Sequence, residues 1–313
     1  MNRYVIISPC RDEAAFARRT LESVTGQTVP PALWVIVDDG SRDDTPRILA
    51  EYARRFDYIR VIRRADRGHR SVGPGVIDAF YAGYEILNPK EFDYICKLDL
   101  DLELPPRYFE KIIQRMQADP LLATCSGKPY YESKDGRLLP ETCGDDASVG
   151  AAKFYRRECF EAIGGFVRQV MWDGIDCHYC RMHGWAACSW DDPELRFLHL
   201  RPMGSSERGI LTGRARHGAG QYFMGTGPLY MLASAIFRLG RRPVVIGSMA
   251  MLWGYLAALL ARRPRYPDPA FRRYLRRYHW LCLTRGKAGA VQLMLRRGEP
   301  TPKAVGPDCA HGI

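Results

Sequence analysis

Leu33-Trp34-Val35-Ile36-Val37-Asp38-Asp39-Gly40-Ser41-Arg42-Asp43-Asp44-Thr45-Pro46 is the stretch that decides the fold. Its first five residues are apolar without alternation, which reads as a strand buried on both faces. Asp39-Gly40-Ser41 closes that strand with turn chemistry. Thr45 and Pro46 read as an N-cap and a first helical position. Ile48, Leu49, Tyr52 and Phe56 then recur at helical spacing. Strand, turn and helix follow one another directly.

The same alternation extends to both sides. Tyr4–Ser8 is a short apolar strand, followed by helical spacing at Ala17, Leu21 and Val24. Ile59–Ile62 and Tyr94–Leu98 are further strands. Val76, Ala79, Phe80, Gly83, Tyr84 and Leu87 form one helical stripe, and Tyr108, Phe109, Ile112, Ile113 and Met116 form another. Alternating buried strands and amphipathic helices predict an α/β fold with a mainly parallel sheet flanked by helices. Ligands in such sheets bind outside the carboxyl ends of the strands.

Three strand ends deliver carboxylates there: Asp12 and Glu13 after the first, Asp38 and Asp39 after the second, Asp99 and Asp101 after Tyr94–Leu98. Asp in turns and caps is common taken singly. Several on one sheet edge repel one another unless a cation or hydroxyl donors lie among them. Asp99 and Asp101, two apart in an extended segment, project to one side. Oxygen ligation of that kind suits Mg2+ or Mn2+ better than zinc. No G-x-x-x-x-G-K-[ST] or G-x-G-x-x-G follows a strand, which disfavours P-loop NTPases and dinucleotide-dependent dehydrogenases. Cys177 and Cys180 form a C-x-x-C with Cys188 beyond, but no second pair follows at zinc-ribbon spacing. Ten cysteines, scattered at core-like positions behind an N-terminal run too short for a signal peptide, are expected to be reduced.

IISPCRDEAAF (residues 6–16), VDDGSRDDT (37–45), KLDLDLELPPRYF (97–109), GAAKFYRRECFEAIGGF (150–166) and WDGIDCHYCRMHGW (172–185) together resemble the family-2 inverting glycosyltransferases, which have the GT-A fold. The likeness runs from Val5 to about Arg201. It implies that Pro9, Arg11, Glu13 and Asp39 hold the base and ribose of a nucleotide-diphosphate sugar. It implies that Asp99 meets the ribose or the metal, and that Asp101 ligates Mn2+ or Mg2+ bridging the diphosphate. His199 is a further metal ligand by the same resemblance, and Arg201 meets the diphosphate. The family's catalytic base falls on Asp173 or Asp176, since Trp172 stands where glutamate is usual. Lys153, Arg156 and Arg157 are expected either to approach an anionic acceptor or to form a solvated helix face. A sugar nucleotidyltransferase usually needs a glycine-rich N-terminal loop, which Ser8–Glu13 lacks; a binder without activity is the other alternative.

Charge divides the chain. Residues 1–195 carry a net −5 and residues 196–313 a net +16. The basic third also holds nineteen uncharged residues, Pro243–Ala261, between Arg241-Arg242 and Arg262-Arg263. An apolar stretch with basic flanks points to an anionic membrane surface rather than nucleic acid. Its length permits a span only marginally, and arginines at both ends favour an in-plane or re-entrant hairpin with Gly227–Leu239 as its other arm. Phe271, Tyr274, Leu275 and Tyr278 share a helical face opposite Arg272, Arg273, Arg276 and Arg277. The expected organisation is a GT-A domain over 1–220, a basic and apolar membrane-associating helical region over 221–298, and a disordered tail over 299–313. The expected setting is the cytoplasmic face of the inner membrane, with a lipid-linked or saccharide acceptor and transfer of one sugar at a time.

Overall fold

The computed structural model describes residues 3–69, 71, 73–133, 135–141, 143–201, 209–240 and 243–295. They form two compact units, residues 3–168 with 185–201, and residues 169–184 with 209–295.

In the first unit the chain runs β1 (Tyr4–Cys10), α1 (Ala17–Thr25), β2 (Leu33–Asp38), α2 (Thr45–Arg55), β3 (Ile59–Arg63), α3 (Pro74–Tyr84), β4 (Tyr94–Leu98), β5 (Leu102–Glu103) and α4 (Tyr108–Ala118). It continues through β6 (Leu122–Gly127), β7 (Pro129–Glu132), β8 (Leu138–Pro140), β9 (Ala152–Arg156) and α5 (Arg157–Ala162), and returns as β10 (Ala186–Trp190) and β11 (Phe197–His199). Seven strands make one sheet in the order β10-β6-β9-β4-β1-β2-β3. Every neighbour pair is parallel except those of β9, which runs against β4 and β6. The expected mainly parallel sheet is therefore present. Every residue of β1 and β4 is buried, as their unbroken apolar runs require. Tyr4, Ile6, Trp34, Ile36, Leu98, Phe109 and Phe154 share one core with the inward stripes of α1 and α2. Trp34, fully buried, donates its indole N–H to Ser8 Oγ at 2.9 Å.

In a second sheet, β5-β11-β7-β8, only β11 has a strand signal in the sequence, the run Leu195–Leu198 before His199. It carries Leu198 against Glu103 and His199 against Leu102, so the D-x-D segment and His199 are held by one strand pair. Lys153 lies on buried β9 opposite Lys97, not on a solvated helix face. Arg156 donates to Met116 O at 2.6 Å and Arg157 to Phe92 O at 3.1 Å, so both tie the fold together.

The second unit is helical: α6 (Trp172–Met182), α7 (Ile210–Met224), α8 (Pro228–Phe237), α9 (Ile246–Leu260) and α10 (Pro269–Leu295), the last broken at Gly286, where φ is 70°. The expected domain boundary at residue 220 falls inside α7, and α6 belongs to the helical unit rather than to the sheet unit. Phe271, Leu275 and Tyr278 are buried while Arg273, Arg276 and Arg277 are exposed, as the two-faced pattern required. The expected disordered tail lies outside the described residues.

Candidate active site

The loops after β1 and β2 are stitched together by turn residues. Cys10 and Asp38 are register partners at the strand ends. Beyond them the Asp12 N–H donates to Ser41 Oγ at 2.9 Å, the Glu13 N–H to Thr45 Oγ1 at 2.8 Å and the Arg42 N–H to Asp12 Oδ1 at 2.8 Å. The Thr45 hydroxyl is used there, so Asp44 takes the cap position and the helix begins at Thr45 itself. Gly40 has φ 77°, and a Cβ on it would lie 2.5 Å from Asp66 Cα; only glycine fits that turn.

Two cation–carboxylate sets grow from this base. Arg11 donates to Asp39 O at 2.7 Å and to Asp66 Oδ1 at 2.5 Å. Asp66 is held well below the usual carboxylate range, first by the Arg11 hydrogen bond, then by the Gly68 N–H and Arg42. The Asp39 carboxylate accepts from Arg64 at 3.0 Å and from Arg67. The second set joins four chain segments. Arg201 Nη2 donates to Glu13 Oε1 at 2.9 Å and to Asp101 Oδ2 at 2.6 Å. His199 places Nδ1 2.9 Å from Glu141 Oε2 and Nε2 3.7 Å from Asp101 Oδ2.

The electrostatics follow from burial set against pairing. Desolvation alone would raise Asp101, but His199 and Arg201 outweigh it and bring its carboxyl down to about 2. Burial likewise works against a charged His199, yet Asp101 and Glu141 lift it to about 10. Asp99 does not join this set. Its Oδ1 lies 2.5 Å from Lys97 Nζ, and burial together with the Asp101 charge pushes its carboxyl up. The D-x-D segment is a bend rather than an extended strand, and its two carboxylates take different partners, Lys97 for Asp99 and Arg201 with His199 for Asp101.

In the helical unit, Asp173 and Asp176 stand on α6, not on the loop before it. Asp173 occupies the first turn and is half-buried, whereas Asp176 is buried and accepts from the Cys177 N–H at 2.6 Å. Met171, with φ 72°, leads the chain into that turn. No disulfide joins the described cysteines.

A sequence model described as "Glycosyl transferase family 2" matches residues 5–184. The chain belongs to this family. Among curated family relatives, it is 25% identical over 160 residues to the putative glycosyltransferase EpsH of Bacillus subtilis (strain 168), covering 51% of this chain and 42% of that one. It is 24% identical over 195 residues to the beta-monoglucosyldiacylglycerol synthase of Trichormus variabilis, covering 57% of this chain and 40% of the relative. The chain thus spans less than half the length of these two relatives. The mannosyltransferase PcManGT of Pyrobaculum calidifontis, solved with GDP-Man and Mn2+, superposes with a TM-score of 0.51 at 18% identity, covering 95% of this chain and 86% of that one. The fold is that of the GT-A glycosyltransferases.

The donor set around Asp101 has the chemistry a divalent cation needs. Asp101 Oδ1 is buried and has no hydrogen-bond partner among the described residues. His199 Nε2 lies 3.7 Å from Asp101 Oδ2 and would be a second ligand once a cation displaces its proton. One carboxylate oxygen and one imidazole suit Mn2+ or Mg2+, provided phosphate oxygens and water complete the shell. Among the described residues no three His, Cys, Asp or Glu converge as a ready cage. Asp99, expected among the ligands, is turned to Lys97.

Sequence reasoning missed Glu141, Asp66, Arg64 and Arg67. The last three follow the carboxyl end of β3, where the rule that found Asp39 would have found them. Glu141 follows β8 in an irregular segment and carries no periodic signal.

Proposed function

We propose that this family-2 chain is an inverting glycosyltransferase that moves a sugar from a nucleotide-diphosphate donor to an acceptor hydroxyl. The observation that carries the reading is the meeting of Glu13, Asp101, His199 and Arg201 outside the carboxyl ends of β1 and β4, with one buried Asp101 oxygen left unpartnered. Pro9, Arg11, Glu13 and Asp39 hold the base and ribose. Asp101 and His199 would hold Mn2+ or Mg2+, which would supply positive charge against the diphosphate leaving group. Arg201, with its planar fork of donors, turns from the two carboxylates to the diphosphate.

Asp173 accepts the proton of the acceptor hydroxyl as that oxygen attacks C1. The bond from C1 to the phosphate oxygen breaks on the opposite face, and the anomeric centre inverts. Asp173 is preferred to Asp176 because a general base must reach the substrate, and Asp176 is buried with its carboxylate on the Cys177 N–H. The acceptor is lipid-linked or a saccharide brought to the cytoplasmic face of the inner membrane, in surface polysaccharide or glycolipid synthesis. The glycolipid synthase among the relatives supports that class.

Thermal unfolding with UDP, GDP, dTDP and CDP, each with and without Mn2+, tests the donor half. One nucleotide at ~100 times its dissociation constant should add about 2.7 kcal/mol. No stabilisation by any of the four would overturn the reading. Once the donor is known, proton NMR of the product reads the anomeric configuration, and retention would overturn inversion.

A further inference from the structure

The helical unit is built inside out. On α9, Ile246, Met249, Trp253, Leu256 and Leu260 recur at intervals of three and four and line one face. All five are exposed, Trp253 at 68% and Leu260 at 78%. The opposite face is Gly247, Ser248, Met251, Gly254, Tyr255 and Ala258, all buried. α8 repeats the arrangement, with Leu229, Leu232, Ile236 and Phe237 exposed over buried Met231 and Ala235. Small residues are buried because the helices meet backbone to backbone. A Cβ on Gly254 would lie 1.9 Å from Ala215 O, and one on Gly218 would lie 1.8 Å from Met251 O. A helix pair that folds for water hides its large apolar residues and leaves small ones outside. The reverse order belongs to helices whose outer solvent is hydrocarbon.

Charge identifies which hydrocarbon surface. Residues 209–295 hold fourteen Lys and Arg and one acid, Asp268. Arg262, Arg263 and Arg265 are exposed directly after α9. On α10, Arg273, Arg276, Trp280 and Leu283 recur along one exposed face, the basic and aromatic mixture that sits at a headgroup layer. A protein partner would have to bring many acids and a long apolar groove together; an anionic bilayer supplies both in one surface. Crossing it is another matter. α9 has 15 residues, so it is about 22 Å long against about 30 Å of hydrocarbon. Among the described residues no helix is long and apolar enough to cross a membrane. A span would also carry one of the two flanking arginine pairs through.

We propose that the exposed face of α8 and α9 is a monotopic anchor that lies in one leaflet of an anionic bilayer, with the arginines among the headgroups. The proposal stands on the helical unit alone and goes beyond the transferase reading. The test is flotation of the full chain with phosphatidylglycerol-containing vesicles and with pure phosphatidylcholine vesicles, alongside the double variant Trp253→Glu, Leu260→Glu. Both positions face solvent, and circular dichroism checks that the variant is folded. The wild-type chain should partition more than about tenfold better onto the anionic vesicles, and high salt should narrow that gap. The double variant should lose about tenfold or more on both vesicles.

Equal flotation of the folded variant, or none by the wild type, overturns the proposal. A dimeric wild type that ignores vesicles, against a monomeric variant, reassigns the face to a second copy of the chain. Resistance of wild-type flotation to alkaline carbonate extraction, with a flank inaccessible from outside the vesicle, would mean a span instead. Nucleotide-dependent stabilisation, measured on the same samples, reports on the transferase reading separately: its loss with flotation intact sinks that reading and spares this one.

Discussion

The two units handle burial in opposite ways. The sheet unit buries charge: Arg11, Glu13, Asp39, Lys97, Asp101 and His199 are all nearly hidden from water. The helical unit exposes apolar bulk: Phe237, Trp253 and Leu260 are each more than two-thirds accessible. Both choices oppose the usual partition of side chains. Buried charge persists where each group is paired and hydrogen-bonded, and removing one partner strands the other. Exposed apolar surface of this extent persists where something apolar covers it. The difference separates a region whose charges are satisfied within the fold from one whose apolar surface is left open.

The largest expected effect bears on which carboxylate of α6 is the base. Asp173→Asn should bind nucleotide as the wild type does and lose turnover by ~10²–10⁴-fold, as general-base removal does. Isothermal titration and a single-turnover assay give the two numbers. If Asp176→Asn shows that pattern and Asp173→Asn keeps full turnover, the assignment is reversed.

Acid should break the two units unequally. His178 and His279 are buried in the helical unit. Burial pushes both down, His279 to about 3, and Arg181 and His279 add to the effect at His178. The unfolded chain takes up these protons near the ordinary value of about 6.5. The folded chain does not, so stability falls as pH drops below that point. Linkage sets the slope near 1.4 kcal/mol per pH unit for each histidine. Hydrogen exchange at successively lower pH should show α6 and α10 losing protection before β1 and β4 do. Equal loss in both units would mean that these imidazoles do not govern acid stability.

Glu141→Gln sharpens the account of the sheet unit. Glu141 bonds one imidazole nitrogen of His199 and so fixes how the other is aimed at Asp101. Partners of that kind typically change metal affinity by ~10–100-fold when removed. Mn2+ binding followed by electron paramagnetic resonance should weaken by that factor, without any turnover being measured. Unchanged Mn2+ affinity would leave Glu141 as a packing partner only.

Legibility tracked burial and length. The strands beginning at Leu33 and Tyr94 were readable because both faces are covered, which leaves an uninterrupted apolar run. Of the second sheet only β11 was, through the run Leu195–Leu198, since β5 has two residues and β8 three, too few to show a period. The change of charge near residue 196 did not fall on a unit boundary, because charge marks a surface and α6 had to be assigned by packing. Asp99 and Asp101 were found by spacing, but spacing does not give their partners: Asp99 bonds buried Lys97, and Asp101 bonds Arg201, a hundred residues away. Glu141 reaches His199 across 58 residues of chain, and no local pattern encodes such a meeting.

The smallest expected effect tests what the Asp-Asp-Gly-Ser turn is for. Ser41 Oγ accepts the Asp12 N–H at 2.9 Å, and the Ser41 N–H donates to Asp38 Oδ1 at 2.8 Å. The first contact joins the loops after β1 and β2, the second closes the turn after β2 on itself, and neither needs a ligand. Ser41→Ala removes one ordinary hydrogen bond, so it should cost about 1 kcal/mol of stability. Nucleotide affinity should hold within about threefold, since an error of that size is under 1 kcal/mol. A far larger loss of affinity at unchanged stability would place the Ser41 hydroxyl on the nucleotide itself. The turn would then be a ligand contact as well as a seam, and the charge buried beside it would be organised by the donor rather than by the fold.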